Sequence, residues 1–173
     1  MQKYTRQAKL ADLARIMSII QDAKAQLKAA GSSQWQGAYP AEDDIAADIK
    51  EGHGFVFING QEIAGYAAVI VGAEPTYQKI DGAWQNDQDP YATIHRICFS
   101  SAYQGEGLAK IFMADLLSLQ VAQGVANFRI DTSKYNQPMQ AVAKRSGFAY
   151  RGIIQVTEDK ENPDRLAYEL NLK

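Results

Sequence analysis

Residues 91–131 constrain the fold more than any other part of the chain. Tyr91 to Phe99 reads as a strand. Gln104-Gly105-Glu106-Gly107 interrupts it, Leu108 to Gln123 brings in Leu108, Ile111, Phe112, Leu116 and Leu119 at helical spacing, and Asn127 to Asp131 is a second strand. A strand, a helix and a strand in that order predict parallel strands joined by a right-handed crossover. The flanking segments supply the rest. Lys3 to Arg6 is a short strand, and Leu10 to Ala30 is a helix carrying Leu10, Leu13, Ile16, Met17, Ile20 and Leu27 on one face. Glu42 to Glu51 is a second helix with an acidic first turn. Phe55 to Ile58 and Ile63 to Val71 flank Asn59-Gly60, a hairpin signal. Glu74 to Pro90 is a polar excursion, Asn136 to Ser146 a helix ended by Gly147, and Tyr150 to Val156 and Arg165 to Leu172 are closing strands. The expected fold class is α/β of the α+β type: one mixed, mostly antiparallel sheet of about seven strands with about four helices.

Composition bounds what this domain does. The 173 residues amount to roughly one domain, here taken as 1–173, with 46% hydrophobic and 22% charged residues. Lys plus Arg number 18 and Asp plus Glu 20, giving a net charge of -2, which disfavours a nucleic-acid partner. One cysteine, Cys98, excludes an internal disulfide framework, and with only His53 and His95 a Cys/His zinc site is disfavoured; the counts alone leave a carboxylate-bound metal open, and no metal is expected. The N-terminal stretch lacks the apolar core of a secretory signal, and Ile63 to Ala73 is too short to cross a bilayer. A soluble cytoplasmic protein with no membrane partner is expected.

The pointed chemistry lies at residues 104–109. Two glycines let the backbone approach a ligand without Cβ obstruction. The first amides of the helix have no internal partners, and with the helix dipole they suit an anion such as a phosphate. A dinucleotide fingerprint fails because Lys110 stands at its last glycine, and no Gly-Lys-Ser/Thr of a nucleotide-hydrolysing loop follows. The same residues would also serve a plain turn between a strand and a helix.

Gln104-x-x-Gly107-x-Ala109 resembles the Gln/Arg-x-x-Gly-x-Gly/Ala signature of the GNAT superfamily of acyl-CoA-dependent N-acetyltransferases. Asn136 opening a helix that Gly147-Phe148 closes is similar to a second pattern of that family. Arg6-Gln7-Ala8 with Asp12-Leu13 and Ile16 resembles its first strand and helix, so the likeness covers residues 3 to about 156. It implies transfer of an acetyl group from acetyl-CoA to a primary amine of a small molecule, amino acid or peptide, by direct attack on the thioester. The fourth and fifth strands would splay at a bulge, and the pantetheine arm would lie in the gap. Main-chain groups of Ile97 and Phe99 would bond its amides. The amides of Gln104, Gly105, Glu106, Gly107, Leu108 and Ala109 would hold the pyrophosphate, and Asn136 would reach the region near the sulfur. Glu106 stands where the family often has a basic residue, so its carboxylate should face solvent. Lys144-Arg145 could meet the 3′-phosphate or simply be a solvated helix end.

The catalytic assignments are more open. An alkylammonium with pKa near ~10.4 is neutral at pH 7 only on the order of one part in a thousand, so a base helps. His95 has the right intrinsic pKa, and some family members place a His or Glu at this position or two residues earlier, where this chain has Thr93. Strict alternation would put His95 on the face of Tyr91, Thr93, Ile97 and Phe99, with Cys98 on the other. His95 bonded to a backbone neighbour inside the sheet is the competing reading. Where many members carry a Tyr acid, seven residues after the Asn, this chain has Ala143, which keeps open a catalytically weak or inactive acyl-CoA-binding module. Trp35 and Tyr39 lie in the connection between the first two helices, a region that commonly borders the acceptor, and either line that pocket or pack down as a lid; Tyr91 is a third, weaker wall residue. Cys98 reads as packing rather than as a nucleophile. Small enzymes of this kind are often dimers, and a homodimer is compatible with the sequence, although no segment marks an interface.

Overall fold

The computed structural model describes residues 1–172. One eight-stranded sheet runs through it. In chain order the strands are β1 (Lys3–Gln7), β2 (Gly54–Asn59), β3 (Glu62–Val71), β4 (Asp81–Gly82), β5 (Ala92–Phe99), β6 (Asn127–Thr132), β7 (Ala149–Gln155) and β8 (Asp164–Asn171). The helices are α1 (Leu13–Ala29), α2 (Glu42–Lys50), α3 (Leu108–Val121) and α4 (Gln137–Arg145). The spatial order is β1-β2-β3-β5-β6-β8-β7-β4. Every pairing is antiparallel except β5 with β6, the two strands that α3 connects. Seven long strands match the expectation. The eighth, β4, comes from the polar excursion and pairs two residues with Gly152 and Ile153 at the sheet edge.

Each face of the sheet has its own core. Leu108, Phe112, Met113 and Leu116 of α3 and Ala143 of α4 pack on Phe55, Phe57, Val69, Ile94, Phe128 and Tyr168. Ile16, Ile19 and Ile20 of α1 and Ile45 of α2 pack on Val56, Ile58, Tyr66, Ala68 and Cys98 on the opposite side. β2 is buried along its whole length because helices cover it from both faces. α1 starts later than its sequence pattern suggests. Asp12 accepts from Lys9 N (2.7 Å) and pairs with Arg6, which fixes a 3₁₀ turn over Leu10–Asp12 and leaves Leu10 exposed. In α3 the inward stripe runs through Leu108, Phe112, Met113 and Leu116, so Ile111 and Leu119 flank it and stay exposed. In the first hairpin Asn59 still pairs with Glu62, so Gly60 alone supplies the positive φ of the turn (68°).

The 74–90 excursion covers the half of the sheet that α1 and α2 do not reach. Its Tyr77, Ile80 and Trp84 pack with Ile154, Val156 and Ala167. Its polar anchor is Glu169, which is fully buried. Glu169 faces Arg129 Nε (3.6 Å) and Arg151 Nε (3.1 Å) and accepts from Gln85 N (2.7 Å) and Asn86 N (3.3 Å). The Arg129 guanidinium also lies between the rings of Trp84 (4.1 Å) and Tyr91 (3.9 Å). Removing the carboxylate would leave the buried Arg129 with only the exposed Asp87 (3.4 Å) as counter-charge. Glu169→Leu should therefore cost about 3–5 kcal/mol in urea unfolding, with the midpoint falling accordingly.

Candidate active site

β5 and β6 pair at only two positions, Ala92 with Phe128 and Thr93 with Arg129. Beyond Thr93 the β6-facing main chain of β5 has no strand partner, while its other side stays paired with β3 as far as Phe99. The cause lies in β5 itself. His95 opposes Ala68 and Cys98 opposes Tyr66, so Arg96 and Ile97 together face Ala67, and Arg96 adopts a left-handed φ of 54°. A bulge of this kind bends the strand and increases its local twist. A non-glycine residue there is strained by roughly 1–3 kcal/mol. The Arg96 side chain offsets this with a two-pronged pair to Asp48 of α2 (2.8 Å from Nε, 2.5 Å from Nη2) and a bond from Nη1 to the Tyr39 hydroxyl (2.6 Å).

The bulge also inverts the alternation of β5. Residues paired across an antiparallel ladder share a face. Ile94 therefore sides with Val69, and Ile97 and Phe99 with the α3–α4 core, whereas His95 and Cys98 both side with the α1–α2 core. His95 thus shares its face with Thr93 but not with Ile97 or Phe99, and Cys98 is on the same side as His95, contrary to uninterrupted alternation. Phe99 lies across Gly65, where a Cβ would stand 2.8 Å from its ring, and meets Phe57 and Phe112 edge-on.

At the far end of the gap stands the glycine loop. Gly105 and Gly107 have φ of 80° and 72°, with open space where a Cβ would point. Gly107 caps α3 without a side-chain acceptor. Among the described residues, the main-chain N–H groups of Gly105 to Ala109 have no protein acceptor. Gln104, Gly105, Glu106 and Gly107 are exposed, so the Glu106 carboxylate faces solvent, while the Leu108 side chain is buried and anchors the helix start. Five free amides at a helix N-terminus, beside an unpaired strand edge, suit a diphosphate with an amide-bearing arm. Asn136, which follows β6, is the N-cap of α4. Its Oδ1 accepts from Met139 N (3.2 Å), and among the described residues its amide nitrogen has no protein acceptor. Ala143 is fully buried in the core, and Lys144 and Arg145 are exposed.

On the other face, where the strands part, the next positions after Thr93 and Arg129 on that side are His95 and Asp131. His95 Nε2 is 3.1 Å from Glu74 Oε2. Asp131 Oδ1 accepts from the Tyr77 hydroxyl (2.6 Å). Burial pushes the Asp131 carboxyl upward against the pull of that bond and of His95, while the bond with His95 leads the causes that hold Glu74 below the usual carboxylate range. The hydroxyl of Tyr91 accepts from Glu74 N (2.8 Å), and its ring faces Tyr77 and Arg129. Tyr39 stands beside Arg96, where burial raises its phenol pKa; Trp35 takes a φ of 64° and packs on the α1–α2 core. The sequence reading gives no functional role to Glu74, Tyr77, Arg96, Asp48 or Asp131. Glu74 ahead of Pro75 carried a signal, a turn-capping pattern, but none for its partner.

Residues 16–148 match the model of the Acetyltransferase (GNAT) family. The chain belongs to the GNAT family. A GNAT acetyltransferase from Streptococcus agalactiae 2603 has a crystal structure that superimposes with a TM-score of 0.90 at 34% identity, covering 99% of this chain and 96% of that one. The uncharacterized N-acetyltransferase YesJ of Bacillus subtilis (strain 168) is 24% identical over 129 residues, 73% of this chain and 70% of its own. The aminoglycoside acetyltransferase AAC(6′)-Ib, solved in complex with coenzyme A, shares the fold at 17% identity, with a TM-score of 0.69 over 98% of this chain and 95% of that one. In this GNAT chain the described residues contain no helix long and apolar enough to cross a membrane, and no cluster of three metal-ligating side chains.

Cys98 is buried, and burial pushes its thiol up to about 12. Such a thiol is inert at neutral pH. A disulfide reagent such as DTNB at pH 8 should leave Cys98 untouched in the native protein and titrate one thiol after addition of denaturant; rapid labelling of the native state would contradict this placement.

Proposed function

We propose that this chain transfers the acetyl group of acetyl-CoA to a primary amine of a small molecule, an amino acid or a peptide, with residues 1–173 acting as one acetyltransferase domain. The observation that supports this most is the alignment of the free amides of residues 105–109 with the unpaired edge of β5. The free amides of Gly105 to Ala109 bind the diphosphate, next to Gln104, whose N–H donates to Ser101 O (3.4 Å). The pantetheine arm takes the place of the missing strand, its amides bonded by main-chain groups of Ile97 and Phe99, and the Asn136 amide lies toward the sulfur. Bound acetyl-CoA supplies an activated acyl carbon and a thiolate leaving group.

The acceptor enters from the face of His95, past Trp35, Tyr39 and Tyr91. His95 takes a proton from the amine as nitrogen bonds the acyl carbon and the carbon–sulfur bond breaks. The thiolate leaves as such and is protonated by water, which suits a site where Ala143 offers no acid. Ala143 is also what supports a second reading, a GNAT domain that holds an acyl-CoA without transferring its acyl group. Consumption of acetyl-CoA with a panel of amines separates the two, since tight binding with no turnover across the panel favours the second.

The phosphate cradle has a test that respects its backbone. Asn and Asp both tolerate a left-handed φ, so Gly107→Asn and Gly107→Asp differ mainly in charge. The Asp variant should weaken coenzyme A at least about tenfold more than the Asn variant, equivalent to ~1.4 kcal/mol, by calorimetric titration. Equal affinities would remove the diphosphate from this corner. His95→Ala should lower kcat by about a hundredfold or more while leaving coenzyme A affinity in place. An unaltered pH–rate profile in that variant would exclude His95 as the base.

A further inference from the structure

We propose that Glu74 is a positioning residue: it fixes the His95 imidazole with its proton on Nε2 and so makes Nδ1 the nitrogen that receives the amine proton. This rests on the reading of His95 as base. Glu74 is immobilised at both ends. Its N–H donates to the Tyr91 hydroxyl (2.8 Å), and its Oε1 accepts from Thr76 N (3.3 Å) and Thr76 Oγ1 (3.0 Å). Only Oε2 is left, and it stands 3.1 Å from His95 Nε2. An ionised carboxylate can accept but not donate, so this contact requires a proton on Nε2 and leaves Nδ1 bare in the neutral ring. Among the described residues no protein group bonds Nδ1.

Three further observations carry the assignment. The pair is mostly enclosed, with side-chain exposures of 17% for His95 and 21% for Glu74. The other His–carboxylate pair among the described residues, His53 with Glu51, has Glu51 64% exposed, as a surface pair does. The other charged groups near this side have partners of their own: Asp131 accepts from Tyr77, Arg96 is paired with Asp48, Arg165 with Asp159, and Arg129 faces Glu169. The pair also stands where β5 and β6 part, at the rim of the gap. As the amine forms its bond to the acyl carbon, its proton passes to Nδ1. The resulting imidazolium lies against the Glu74 carboxylate until the proton leaves to solvent.

The test uses the full chain. Nitrogen-15 NMR of the His95 ring needs no acceptor. It should show the Nε2-protonated form in the wild type and a mixture of tautomers in Glu74→Gln, which keeps an oxygen for Thr76. Steady-state kinetics with acetyl-CoA and n-butylamine should show kcat about tenfold to a hundredfold lower in Glu74→Gln, with KM for acetyl-CoA unchanged. Glu74→Asp should recover part of the loss, and Glu74→Gln should add nothing to His95→Ala. A wild-type ring protonated on Nδ1, an unchanged tautomer in Glu74→Gln, or an equal further loss in the His95→Ala background would overturn the role of Glu74. Full kcat in His95→Ala would instead overturn His95 as base. If Glu74→Gln melts early or loses coenzyme A binding, the wild-type tautomer and Glu74→Asp decide the question.

Discussion

The ion pair between Arg96 and Asp48 is the interaction on which the rest of the architecture turns. A strand with eight residues in regular alternation would continue its ladder with β6 and close the sheet. Instead Arg96 is held in a left-handed conformation, and its guanidinium is gripped from α2 and from the connection before it. That grip couples the α1–α2 layer to the middle of the sheet. The strain of one residue opens a gap along the β6-facing edge of β5, beside the helix end where free amides gather. Tyr66 donates to the same Asp48 (2.8 Å), so the carboxylate that pins the bulge is tied to β3 as well. Breaking that buried pair would leave one charge unmatched among apolar side chains, a far larger cost than losing an exposed pair.

Much of this was legible in the sequence because it rests on periodicity and on local turn chemistry. The four helices follow from apolar spacing, and the crossover from the order of strand, glycine loop and helix. The cradle follows from Gly105 and Gly107, whose open Cβ positions and positive φ are properties of glycine itself. Asn136 as a cap needs only its own side chain and the next turn. The positions of His95 and Cys98 were lost for one reason. Alternation carries a residue's face along a strand only while the pleat is unbroken, and one inserted residue reverses everything on one side of it. A bulge implied beside Ile97 is enough to undo an alternation argument that begins at Phe99 and runs back to His95.

Other features were illegible for a different reason. Glu74 and His95 are separated by 21 residues, and Tyr77 and Asp131 by 54, so no window of sequence holds either pair. The excursion reads as polar and open, yet its underside is ordered by Glu169, more than 80 positions away. The register of β6 with β8 decides which carboxylate lies beneath which loop.

A short 3₁₀ turn, Pro75–Tyr77, follows β3. Glu74 reaches His95 on β5, and three residues later Tyr77 reaches Asp131 on β6, so one rigid 3₁₀ turn bonds both banks of the cleft where they begin to diverge. It acts as a strut. Its span is set by covalent geometry rather than by anything lying between the strands, so the spacing of the two strands at this corner is built into the chain.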